Sequence, residues 1–235
     1  RIGWSKSGML LIISGAFGLY KKSEVIEVGG YDSQSDTEDL ELVVRLHKHL
    51  RDHNRKYRIT FVPDPICWTE APKDLATLKK QRRRWHAGLA ATISMYRSML
   101  FNYRYGRIGL FALPYQLFIE LIGPVIEVAG YFVVTASFAF GIIDRQFFML
   151  FVIMAVLVGV FFSVAAVLLE EISYRRYPKF RDTFKLLLFS VLENFGYRQM
   201  LALWRTQAVF NFLFSRNQKW EVVRKRGFSK PAKEA

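Results

Sequence analysis

The sequence predicts an α/β unit followed by an α-helical membrane region, and three observations carry that expectation. Residues 1–75 alternate short apolar runs with helix-like patterns. Residues 146–169, QFFMLFVIMAVLVGVFFSVAAVLL, contain no charge; at about 1.5 Å per residue they reach about 36 Å, enough to cross a hydrocarbon core of roughly 30 Å. Charge is also segregated: 19 Lys/Arg and 11 Asp/Glu lie in 1–110, one and four in 111–170, and 14 and five in 171–235.

The 235 residues are 51% hydrophobic and 16% aromatic, yet carry a net charge of +14. That apolar content excludes a disordered chain, and basic soluble domains balance their charge with a polar surface. The aromatics cluster in the apolar stretches rather than among the arginines, which argues against nucleic acid as a partner. Cys67 stands alone, excluding an internal disulfide framework or a cysteine-based zinc site. The chain opens Arg1-Ile2-Gly3-Trp4 without an initiator Met or signal peptide, so it reads as a segment of something longer.

In the front part, Met9–Ile13 is an apolar run suited to a buried strand, closed by Ser14-Gly15, and Ala16–Tyr20 is a second strand candidate. A short helix is expected at Ser23–Val28, then a turn at Gly29-Gly30-Tyr31-Asp32. Thr37 is a candidate N-cap for a helix with Glu38 and Asp39 in its first turn and Leu42, Val43, Leu46 and Leu50 on its buried face. Tyr57–Val62 is a third strand candidate, ended by Pro63-Asp64-Pro65, and Asp74 caps a long helix from Leu75 to about Leu100. Domain limits follow at 1–73, 74–110, 111–170 and 171–235.

Phe111–Ile143 is apolar but too long for one straight span, and Pro114 and Gly123-Pro124 are expected to break it. An interfacial or re-entrant piece is expected first, then a span near Pro124–Ile143, a tight turn at Asp144-Arg145 and the span 146–169. Arg97, Arg104 and Arg107 precede this hairpin; Arg175, Arg176, Lys179 and Arg181 follow it. By the positive-inside rule both flanks are cytoplasmic. Phe184–Phe214, interrupted by Glu193-Asn194, Gly196, Arg198-Gln199 and Arg205, suits an interfacial or re-entrant helical pair, with two further crossings as the alternative. The basic tail from Lys219 to Lys233 again points to a cytoplasmic end.

Asp39 is the first candidate for chemistry, a carboxylate at the rim where α/β domains bind substrates; the alternative is that Glu38 and Asp39 only stabilise a helix N-terminus. Gln81, Arg84 and Trp85 share a helix face at i, i+3 and i+4. An amide, a guanidinium that grips diphosphate oxygens and an indole that stacks on a sugar ring suit a phosphorylated sugar. Alternatively, Lys79–Arg84 is a polybasic strip against anionic lipid headgroups.

The ordered set SGAFGLYKKSEVIEVGGYD (14–32), TED (37–39), VPDPICWTEAP (62–72) and QRRRW (81–85), followed by membrane spans, resembles the membrane-integrated family 2 glycosyltransferases, which include cellulose, hyaluronan and poly-N-acetylglucosamine synthases. The resemblance covers 1–110 by motif and the spans by layout. It implies the second half of a GT-A-type catalytic domain with Asp39 as general base and Glu38 beside it. Arg84 then binds the donor diphosphate, and Trp85 stacks under the acceptor sugar with Gln81 in the same motif. Ser14-Gly15-Ala16 and Cys67-Trp68-Thr69-Glu70 fall where the family lines its cleft.

Such enzymes carry an Asp-x-Asp metal motif upstream, and Asp32, Asp36 and Asp64-Pro65 do not fill that role. The divalent cation (Mg or Mn) is therefore expected to have its ligands in an N-terminal half absent from this chain, which alone should be inactive. The implied partners are a nucleotide-sugar donor (a UDP-sugar), a glycan or lipid-linked acceptor, membrane lipids and that N-terminal half. The implied place is the cell membrane, multi-pass, with the catalytic part cytoplasmic. Single-sugar transfer to a lipid carrier and a non-catalytic anchor are the competing functions. His47, His49, His53 and His86 lack a carboxylate partner and read as solvated surface. Glu120 and Glu127 lie seven apart within apolar sequence; they either serve function, face Arg198 or Arg205 structurally, or sit unimportantly at the interface.

Overall fold

The computed structural model describes residues 1–13, 15–63, 67, 69–174 and 180–214. Among them every regular element is helical and no strand is present, which corrects the α/β expectation. A strand exists only as a partner in a ladder, and two of the three apolar runs read as strands, Met9–Ile13 and Tyr57–Val62, pair with side chains instead. His47 Nε2 reaches the Leu10 carbonyl at 2.9 Å, and the Phe61 N–H donates to Ser5 Oγ at 2.8 Å. The runs are too short for periodicity to separate a strand from an irregular segment lying over a helix.

The chain forms two compact units, 1–121 with 207–235, and 122–206. In the first, α1 (Ile2–Lys6), α2 (Lys22–Glu27), α3 (Glu38–Asp52) and α4 (Leu75–Met95) precede two 3₁₀ turns. Leu42, Val43 and Val44 put α3 at the centre, each almost wholly buried. Burial extends beyond the expected face to Glu41 and His47, and both are satisfied, as buried polar groups must be. Glu41 accepts from the Tyr96 hydroxyl at 2.5 Å and from Arg45 at 2.7 Å. Arg45 also donates to the carbonyls of Val28 and Gly30 at 2.7 and 2.8 Å, fastening the turn after α2 to α3.

His47 corrects the surface reading of the histidines. It is 1% exposed, and its Nδ1 lies 2.6 Å from the Tyr57 hydroxyl. Burial lowers its pKa to about 4, so the neutral ring donates from Nε2 and accepts at Nδ1. His86 is also buried, with Nε2 3.2 Å from the Leu121 carbonyl.

Asp74 caps α4 as expected, accepting from the Thr77 N–H at 2.7 Å and its hydroxyl at 3.0 Å. The helix stops at Met95 rather than near Leu100, because 3₁₀ turns at Arg97–Met99 and Tyr103–Tyr105 redirect the chain. Thr37 holds the N-cap position of α3, yet its hydroxyl does not cap; its carbonyl accepts from the Glu41 N–H at 3.0 Å.

Pro114 and Pro124 do not break the apolar segment that contains them. A helical path runs from Ile108 to Ala139: π-turns at Ile108–Ala112 and Gln116–Ile122 flank the single turn α5 (Leu113–Tyr115), and α6 (Gly123–Ala139) follows. The wider turn accommodates a ring that would clash in an α-ladder. With α7 (Arg145–Tyr174), the described residues include two helices long and apolar enough to cross a membrane: Ile108–Ala139 at mean hydropathy 1.9 and Arg145–Ile172 at 2.9. Their side chains are largely uncovered; Phe161, Phe162 and Leu169 are each about two-thirds exposed, unlike a soluble core helix.

In the second unit α6 and α7 are joined by residues 140–144, with Asp144 accepting from the Phe147 N–H at 2.7 Å. Beyond 175–179, which lie outside the described residues with Arg175, Arg176 and Lys179, α8 (Phe180–Leu192) packs on α7 and turns at Gly196, φ 94°, into α9 (Tyr197–Phe214). Ser163 donates to Glu193 at 2.7 Å. Glu127 accepts from Arg198 at 3.1 Å and from the Tyr131 hydroxyl at 2.6 Å, so of the alternatives for Glu127 it takes the Arg198 pairing. The basic tail also lies outside the described residues.

Candidate functional site

Asp39 sits in the first turn of α3, on a cleft of about 230 Å³ lined by Gly15, Gly18, Tyr20, Tyr31, Glu38 and Asp39. Two glycines shape it. A Cβ on Gly15 would lie 2.9 Å from Asp39 Oδ2, so only glycine lets that backbone rest against the carboxylate. A Cβ on Gly18 would lie 2.9 Å from the Tyr20 ring.

The half-buried Asp39 carboxyl is pushed above its ordinary value, first by burial. The Leu40 N–H, 2.9 Å from Oδ1, pulls it back; the neighbouring Glu38 charge raises it again, and the Arg84 charge lowers it. Burial likewise raises Asp36, and there Arg84 is the main opposing influence. Arg84 on α4 therefore stands within electrostatic reach of both acids, although it lies 45 positions from Asp39 in sequence (84 − 39).

Two contacts bring α4 to α3. The Tyr96–Glu41 hydrogen bond ties the end of α4 to the first turn of α3. Nearer the site, Gly88 lies against Thr37, where any Cβ would collide with both branches of the threonine side chain.

The structure thus gathers Gly15, Glu38 and Asp39 around the cleft, while Arg84, within electrostatic reach of Asp36 and Asp39, does not line it. Gln81 is half-buried one turn before Arg84, and Trp85 is 44% exposed with the Arg82 guanidinium 5.1 Å from its ring centre; neither lines the cleft. Ser14 and Trp68 lie outside the described residues. Cys67 is exposed with Sγ 3.9 Å from the Ala16 carbonyl, and Glu70 pairs with Lys73 at 2.7 Å. Among the described residues no three His, Cys, Asp or Glu side chains gather to hold a metal ion. Sequence reasoning missed Gly18, Tyr20, Tyr31 and Gly88. The available signal was Tyr31 directly after Gly29-Gly30 and Tyr20 two residues after Gly18, which periodicity does not weigh.

Residues 1–164 match the family described as Glycosyl transferase family group 2. A poly-beta-1,6-N-acetyl-D-glucosamine synthase from Staphylococcus aureus (strain COL) is 42% identical over 82 residues, 35% of this chain and 18% of the relative. The protein of the same description from Staphylococcus epidermidis is 39% identical over 84 residues, 36% of this chain and 19% of the relative. The chain thus spans less than a fifth of the length of the curated relatives it matches. No solved structure matches it.

Proposed function

Because the chain belongs to glycosyl transferase family group 2, we propose that it carries the acceptor-activating part of an inverting sugar transferase acting at the cytoplasmic face of the cell membrane. Asp39 is the general base. It takes the proton from an acceptor hydroxyl as that oxygen attacks the anomeric carbon of a nucleotide sugar. The bond from that carbon to the diphosphate breaks, its electron pair leaves with the diphosphate, and attack from the opposite face inverts the centre. Arg84 meets the charge gathering on the departing diphosphate, Gln81 supports it on the same helix face, and Trp85, outside the cleft, offers a ring face to an acceptor sugar beyond the terminal one.

The observation that carries this reading is a half-buried carboxyl on the cleft, its pKa raised by burial, within electrostatic reach of Arg84. A base works best with its pKa moved toward the operating pH, and burial moves Asp39 in that direction. The relatives are named as poly-beta-1,6-N-acetyl-D-glucosamine synthases, which favours N-acetylglucosamine as the sugar and a growing polysaccharide as acceptor. Two apolar helices with Arg97, Arg104 and Arg107 before them and Arg181 after them support the orientation.

The test is transfer from UDP-N-acetylglucosamine by the full-length protein in membranes. Asp39→Asn should abolish polymer formation and leave donor binding intact; undiminished transfer by that variant would overturn the assignment.

A further inference from the structure

The cleft beside Asp39 has an aromatic wall that the Asp39 and Arg84 chemistry leaves without a task. Tyr20 lies two residues after Gly18 and Tyr31 follows the Gly29-Gly30 turn; the two rings meet edge to face, with centres 6.3 Å apart and planes at 87°. Gly18 admits the Tyr20 ring, since a Cβ there would lie 2.9 Å from Cε2 and 3.2 Å from the hydroxyl oxygen. Tyr31 follows Gly29 and Gly30, at φ 88° and 76°, in the turn that Arg45 grips from α3. Arg45 is in turn held by the buried Glu41, so the position of the aromatic pair is set by the core of the unit.

An aromatic pair placed only for packing would be closed over, yet Tyr31 is 54% exposed. The space beside it, about 230 Å³, is below the roughly 300 Å³ at which pockets for drug-sized ligands begin. One sugar ring suits it better than a chain of them. A pyranose has one face of C–H bonds and a rim of hydroxyls, which matches a ring face, a phenol and carboxylates in one small cleft.

We propose that Tyr20 and Tyr31 form the shelf for the terminal acceptor sugar, Tyr31 stacking on its C–H face and Tyr20 orienting its hydroxyl rim so that one hydroxyl points at Asp39. The inference rests on the Asp39 reading and assigns the acceptor end of that site. Burial and the Tyr31 contact keep the Tyr20 phenol protonated, so it remains a donor throughout the working pH range. Tyr20 and Tyr31 are positioning residues; the proton still goes to Asp39.

The experiment uses the full-length protein in membranes, UDP-N-acetylglucosamine as donor and a short N-acetylglucosamine oligomer as acceptor, with Asp39→Asn in parallel. Tyr31→Leu should raise the acceptor KM about tenfold, the loss of one ring contact, while the donor KM stays put. Tyr31→Phe keeps the ring and should restore the acceptor KM that Tyr31→Leu loses. Tyr20→Phe should lower kcat with the acceptor KM nearly unchanged. An unchanged acceptor KM in Tyr31→Leu, or a shift shared equally by donor and acceptor together with a lower melting temperature, overturns the shelf and leaves Asp39 standing. Transfer that persists in Asp39→Asn overturns the Asp39 reading, and the shelf falls with it.

Discussion

The backbone of Gly88 rests directly on the side chain of Thr37, with no room between them for a single carbon. Gly88 follows Arg84 by one helical turn and so lies on the same face of α4. Thr37 precedes Asp39 by two residues. This one crossing sets how near the guanidinium comes to the carboxylates, and it explains why a threonine in the N-cap position does not cap: its side chain is the floor on which α4 sits.

Gly88→Ala should therefore hurt despite favouring the helix. Alanine adds about 1 kcal/mol of helix propensity, but forcing a methyl into this contact costs about 1–3 kcal/mol and moves α4 outward. The expected result is a small fall in melting temperature with a much larger fall in transfer, because Arg84 recedes from Asp36 and Asp39. The double variant Thr37→Gly/Gly88→Ala removes the whole threonine side chain, whose Cβ alone would lie 2.9 Å from the new methyl, and should recover most of the activity. Thermal melts and transfer assays on the same preparations check both.

The parts legible in sequence were those fixed by local chemistry. Asp74 announced the start of α4, the acids of TED announced α3, and the uncharged run 146–169 announced α7. The missing sheet was not legible because Met9–Ile13 and Tyr57–Val62 look the same whether they pair with a neighbouring strand or lie over α3, held by His47 and Ser5. Likewise nothing local to His47 says that it is buried; its partners are Leu10 and Tyr57, one of them 37 positions away. At the site, Asp39 and Arg84 were visible as motifs. Gly88, Tyr20 and Tyr31 owe their roles to contacts that no spacing rule encodes.

Asp39 should set the acid limb of the activity. A general base must be ionised, and burial holds this carboxyl above its ordinary value, so transfer should fall at a higher pH than for a solvated aspartate. The stability consequence has the opposite direction. A carboxyl whose folded pKa exceeds its unfolded value favours the fold only at pH below the unfolded pKa, and that contribution is gone once pH rises past the folded value. At neutral pH, Asp39→Asn should therefore abolish transfer while leaving the melting temperature equal to wild type or higher. A pH–rate profile and a thermal melt test the two halves.

Acid sensitivity of the fold should trace to His47. Its folded pKa near 4, against an ordinary 6.5, means that the neutral ring stabilises the fold above pH 6.5. As pH falls from 6.5 toward 4, the unfolded chain gains a proton that the buried ring resists, and about 3 kcal/mol is lost over that window. His47→Gln should be less stable at pH 7, having lost the Tyr57 and Leu10 partners, and should show little of the decline between pH 6.5 and 4. Melting temperatures across that pH range compare the slopes directly.

The pair Glu127–Arg198 should behave as a unit in the second half of the chain. Glu127 lies within the apolar helical path Ile108–Ala139 and accepts from both Arg198 and Tyr131. Ionisable groups at such positions are costly unless paired. Arg198→Gln leaves Glu127 without its cation, and Glu127→Gln leaves Arg198 beside an amide; each should cost on the order of 1–3 kcal/mol. With both changed, two amides replace two charges and no orphaned charge is left, so the double variant should recover much of the loss. A coupling energy near zero in this cycle, measured by thermal unfolding in detergent, would mean that the 3.1 Å contact is incidental. A strong one would mean that it holds α9 to α6, with Tyr131→Phe expected to weaken the coupling because it removes the second donor to Glu127.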